Sequence, residues 1–87
     1  MNEVENELRE MRNLNKRYIP NELSKKYRDI FTELPPLHQK VMKEYYINCR
    51  SYHACGQRVF YCERQIRRII DKSKEKIREI INERELK

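Results

Sequence analysis

Apolar residues recur at helical spacing in five stretches, and the breaks between them coincide with prolines and capping residues. In residues 2–18, Val4, Leu8, Met11 and Tyr18, with Leu14 beside them, follow the i, i+3, i+4 rhythm of one helix face. Glu3, Glu5 and Glu7 lie at its start and Arg9, Arg12, Lys16 and Arg17 follow, an order that suits the helix dipole. Pro20 should end this helix near Tyr18 or Ile19, because the residue before a proline avoids helical geometry. Asn21 is an N-cap for a second helix over about 22–33, with Leu23, Tyr27, Ile30, Phe31 and Leu34 inward. Pro35 and Pro36 stop it, and Pro36 suits the first turn of a third helix over about 36–47. There Leu37, Val41 and Tyr45, with Met42 and Ile47, point to the core. Asn48, Cys49 and Arg50 connect to a fourth helix over about 52–58, capped by Ser51 and facing inward with Tyr52, Cys55 and Val59.

The last helix should start near Cys62 and run unbroken to about Arg84. Ile66, Ile70, Ser73, Ile77 and Ile80 alternate by four and three as a short heptad-like seam, widened by Ile69 and Ile81. That seam needs cover, from the N-terminal helices or from a second copy of the chain. Its length favours a homodimer with Ile66, Ile70, Ile77, Ile80 and Ile81 in the interface. The fold class expected is therefore all-α. It is a small helical domain of about five helices, in which residues 1–33 are an N-terminal scaffold. Residues 34–87 carry two helices joined by a tight turn, the second of them extended.

Composition agrees with helices. One glycine and three prolines in 87 residues leave little material for a turn-rich sheet protein. The net charge is +6, and it is unevenly placed. Residues 1–34 hold seven basic and seven acidic side chains, whereas residues 35–87 hold thirteen and seven. A basic half beside a neutral one points to a polyanionic partner. The N-terminus is polar, and no apolar run nears the ~20 residues of a membrane span. A cytosolic protein with reduced thiols, no membrane association and no disulfide is expected.

Cys49, Cys55, Cys62 and His53 lack the paired spacing of a structural zinc site, so no metal is expected, and Cys55 reads as a small core residue. His38 and His53 fall on different helices and Gly56 is the only glycine, so neither a catalytic set nor a phosphate loop is formed. No enzymatic activity and no cofactor are expected.

The stretch LPPLHQKVMKEYYINCRSYHACGQRVFYCERQIRRIIDKSKEKI, about half the chain, resembles region 4 of bacterial sigma factors. It resembles more closely the small phage regulators of the RinA-like and ArpU-like kinds. Leu34-Pro35 opening a helix, Val41 and Tyr45-Tyr46 on it, Ser51-Tyr52 capping the next, and Tyr61 to Arg68 leading the last carry the likeness. The resemblance implies a helix-turn-helix that regulates transcription from double-stranded DNA, phage or prophage encoded. It implies base reading by Glu63, Arg64, Gln65, Arg67 and Arg68. Arg suits guanine, Gln suits adenine, and Glu accepts from cytosine. Arg50, Ser51, Tyr52, Arg58 and Lys72 would hold the DNA backbone. Three positions depart from the pattern. Gly56 stands at the helix crossing, Phe60 where the turn usually carries a left-handed glycine, and Cys62 at the usual Ser or Thr cap. These departures, with Tyr45, Tyr46 and Tyr61 read as exposed, favour an alternative. In it the scaffold docks on a protein, either RNA polymerase or a host defence protein such as a CRISPR nuclease.

Overall fold

The computed structural model describes residues 3–85 and is built of helices: α1 (Glu3–Lys16), α2 (Glu22–Phe31), α3 (Pro36–Met42), α4 (Tyr52–Val59) and α5 (Glu63–Glu85). A π-helical turn, Lys43–Ile47, extends α3 without a break. The all-α class is as the periodicity implies, and no strand occurs among the described residues. The first helix ends at Lys16, slightly short of the expected boundary; its expected start at Asn2 lies outside the described residues.

The helix ends follow from local chemistry. Asn21 Oδ1 accepts the Ser24 N–H at 2.9 Å and starts α2. Pro36 occupies the first turn of α3, where a missing N–H breaks no helical bond. Ser51 Oγ accepts the Ala54 N–H at 3.1 Å and starts α4. Three helix exits need a left-handed residue, and none of them has a glycine: Tyr18, Cys49 and Phe60 have φ of 58°, 57° and 62°. At the end of α1, Tyr18 N–H donates to Asn15 O and Ile19 N–H to Leu14 O, the paired bonds of a Schellman cap. The left-handed backbone costs an ordinary side chain about 1–2 kcal/mol. Tyr18 therefore leaves the inner face that periodicity assigns to it; its ring is 93% exposed.

One core unites the helices. Leu8, Met11, Tyr27, Phe31, Val41, Met42, Ile66 and Ile77 are fully buried, each side chain stabilising by roughly 1.5–3 kcal/mol. Every earlier helix contacts α5. With about 1.5 Å per residue, α5 extends about 34 Å, close to the molecule's longest dimension of 39 Å. Its seam is covered over that whole length by the same chain. Ile66, Ile70, Ile77 and Ile80 are buried, and only Ile81 stays half-exposed. The dimer seam expected from length alone is thus corrected: these isoleucines form the chain's own core. Midway along α5, Lys74 pairs with Glu5 at 3.2 Å, and at its far end Arg84 reaches Asp29 and Glu33.

Tyr46 is also corrected. The π turn rotates it inward, where it is 5% exposed and its phenol is pushed above its ordinary pKa, chiefly by burial. Widening the helix displaces carbonyls from their usual partners. Side chains of α1 take them up: Arg12 Nε donates to Tyr45 O at 3.0 Å, and Asn15 Nδ2 to Tyr46 O at 3.1 Å.

Candidate nucleic-acid interface

The turn between α4 and α5 depends on its glycine. Tyr61 N–H donates to Gly56 O at 3.0 Å, folding the chain back over α4. A Cβ on residue 56 would meet the Tyr61 carbonyl oxygen at 2.2 Å, so no other residue fits without moving backbone. The only glycine is committed to this crossing, and the left-handed residue of the turn is Phe60, with its side chain 93% exposed. α5 then opens with half of a capping box. Gln65 Oε1 accepts the Cys62 N–H at 3.1 Å, while no hydrogen bond from the Cys62 side chain returns it.

The residues expected to read bases, Glu63, Arg64, Gln65, Arg67 and Arg68, are all exposed on the first turns of α5. They are not equally free. Gln65 is engaged as the cap. Arg67 lies over the Tyr52 ring, its guanidinium carbon 5.0 Å from the centroid. Arg64 and Arg68 have no partner among the described residues, and neither does Lys72 one turn further. These three step by four along one outward strip.

The expected backbone contacts divide in the same way. Ser51 caps α4 through its side chain. Arg50 and Arg58 share the largely buried Glu44, the first in direct ion pair and the second at 3.7 Å. Tyr52 stacks on Tyr45 with centroids 4.8 Å apart and planes 3° from parallel. Arg12 lies 4.3 Å from the Tyr45 centroid. Four planar groups, Arg12, Tyr45, Tyr52 and Arg67, thus form a column from α1 to α5. Burial and then the Tyr52 hydroxyl push the Tyr45 phenol above its ordinary pKa, so it stays neutral. Tyr45, read from the sequence as exposed, is half-buried in this column. The helical spacing that predicts Tyr45 on the inner face agrees with this position.

Two further side chains, His53 and Gln57, are exposed on α4 and line a groove with Phe60, Tyr61, Glu63 and Arg64. Their i, i+4 spacing on the polar side of α4 was the available signal. The column leaves no local mark in the sequence, because Arg12 and Tyr45 are far apart along the chain.

The thiols do not converge. Cys55 is buried, and burial followed by the Glu44 charge keeps its thiol protonated. The Cys49 thiol donates to Arg12 O at 3.3 Å. Cys62 is exposed. No cluster of three metal-ligating side chains exists among the described residues, and among them no helix is long and apolar enough to cross a membrane. Comparison with family models, curated proteins and solved structures finds no match to the chain.

Proposed function

We propose that the chain is a sequence-preferring, double-stranded DNA-binding regulator of transcription, phage or prophage encoded, that places the first turns of α5 in the major groove. The observation that carries this reading is the strip Arg64, Arg68 and Lys72. Arg50, Arg58, Lys74 and Arg84 pair with carboxylates of other elements, whereas these three are exposed on α5 with none. They lie at the start of the second helix of a helix-turn-helix whose first helix is capped by Ser51. The resemblance to region 4 of sigma factors and to RinA-like and ArpU-like regulators supports the same placement. Arg64 and Arg68 are assigned to guanine O6 and N7, and Lys72 to phosphate. Arg67 is presented by the tyrosine column.

The test is binding to a fluorescent duplex taken from upstream of the protein's own coding sequence, against a scrambled duplex, at two salt concentrations. The wild type should prefer its own duplex, and the Arg64→Ala, Arg68→Ala double variant should lose that preference. Equal, weak binding to both duplexes that disappears with salt would sink the proposal, since charge alone behaves that way.

A second reading, docking on a protein such as RNA polymerase or a host defence nuclease, rests on the exposed Phe60 and Tyr61 at the turn. Loss of binding to a purified partner in Phe60→Ala, with DNA preference absent throughout, would favour it.

A further inference from the structure

A second concave surface lies away from the residues proposed to touch DNA. It sits where the end of α1 meets α2 and the π turn, and is lined by Tyr18, Ile19, Pro20 and Ile47 together with Lys16, Arg28 and neutral polar side chains. An adjoining hollow shares Arg28 and Ile47 and adds Lys43. No carboxylate lines either hollow. Lys16, Arg28 and Lys43 have no ion-pair partner among the described residues; Lys43 only donates to Gln39 at 3.2 Å. Lys16 and Arg28 come from the charge-balanced residues 1–34 and Lys43 from the basic half, so folding brings the three together.

Tyr18 supplies the second observation. It has a left-handed backbone, which disfavours a side chain, and a ring almost wholly in water. The Schellman bonds to Asn15 O and Leu14 O offset the backbone cost, but nothing inside the fold covers the side chain. An aromatic left in water at the edge of a concave surface is a mark of a contact site.

We propose that this groove docks an acidic, amphipathic segment of a partner protein. Tyr18, Ile19 and Ile47 take an apolar side chain of the segment, and Lys16, Arg28 and Lys43 take its carboxylates. The apolar side chains of Tyr18, Ile19, Pro20 and Ile47 among the cations distinguish it from a phosphate-binding surface, which has no use for isoleucine. The assignment does not depend on the DNA reading, because the two surfaces share no residue.

The experiment is an NMR titration of the isotope-labelled full chain. The probe is a short synthetic peptide with leucine and phenylalanine on one helical face and glutamate on the other. A peptide with lysine replacing glutamate and a heparin fragment run beside it. Saturable shifts at Tyr18, Ile19, Arg28 and Ile47 with the glutamate peptide alone are expected. Tyr18→Gly is the informative variant, since it relieves the backbone and should raise the melting temperature while weakening the peptide about tenfold or more. Arg28→Glu with Lys43→Glu should weaken it at least as much. The proposal is overturned by absence of shifts at about 1 mM peptide, by equal binding of the lysine peptide, or by full binding to Tyr18→Gly. Heparin shifting the same amides equally would make the groove a polyanion site instead. Shifts that depend only on protein concentration would make a second copy its occupant.

Discussion

At the scale of single residues, Gly56 and Phe60 occupy each other's preferred chemistry. Gly56 sits inside a helix, where glycine is about 1 kcal/mol worse than alanine, yet the Tyr61 carbonyl leaves no room for a Cβ. Phe60 sits at the left-handed exit, where glycine is unstrained. Phe60→Gly should therefore stabilise by about 1 kcal/mol, raising the melting temperature by about 4–8 °C in a domain of this size. Gly56→Ala should destabilise by more than that and pull the turn apart. Calorimetry of the two variants checks both signs. An unstable Phe60→Gly would mean that the exposed ring contributes something the backbone argument omits. Ser73 offers a third case. It is fully buried in the isoleucine seam of α5, with its hydroxyl unpaired. Ser73→Ala removes an unsatisfied donor of a kind that costs about 1–3 kcal/mol when buried, and should be neutral or stabilising in urea unfolding.

At the scale of elements, capping residues and periodicity made most boundaries readable. Asn21 and Ser51 cap as their side chains dictate, Pro36 opens α3, and the four-and-three spacing of isoleucines marks the buried side of α5. Two features were not legible. The π turn at Lys43–Ile47 has no local sequence mark, because it is held from outside by Arg12 and Asn15. It reverses the reading of Tyr46, which belongs to the core. The cover of the α5 seam was also ambiguous, since an apolar stripe says that something packs on it and not what. Four short helices from the same chain suffice.

The α1–α2 junction gives an element-level prediction with a definite sign. Glu7 accepts hydrogen bonds from Tyr27 at 2.7 Å and Lys26 at 3.0 Å. Burial alone would raise its pKa, but those two donors outweigh it and hold the carboxyl below its ordinary value. A folded-state pKa below the unfolded one stabilises above the ordinary glutamate range, and the stabilisation is lost as pH falls through the folded value. Glu7→Gln should therefore flatten the acid limb of stability against pH in chemical denaturation, while leaving the slope near neutrality unchanged. An acid limb as steep as the wild type's would assign acid sensitivity to other carboxylates.

At the scale of the whole molecule, the uneven charge becomes a question of which cations remain free. Intramolecular pairing partly neutralises Arg50 and Arg58 on Glu44, Lys74 on Glu5 and Arg84 on Asp29 and Glu33. Among the cations left without an ion pair are Arg64, Arg68 and Lys72 on one surface and Lys16, Arg28 and Lys43 on another. If the proposed DNA contact is made, each phosphate neutralised by a free cation contributes about 0.9 to the slope of log affinity against log salt. Lys72→Ala should reduce that slope by nearly this amount. Arg58→Ala should reduce it by less, because Arg58 is already 3.7 Å from the Glu44 carboxylate and releases fewer counterions on binding. Arg28→Ala, in the other groove, should not change it. Titrations of the three variants on one duplex over a range of salt concentrations separate these outcomes. Equal losses at Lys72 and Arg58 would mean that Arg58 leaves Glu44 on binding. An unchanged slope at Lys72 would remove the strip on α5 from the DNA contact, and a loss at Arg28 would place the duplex across the wrong face.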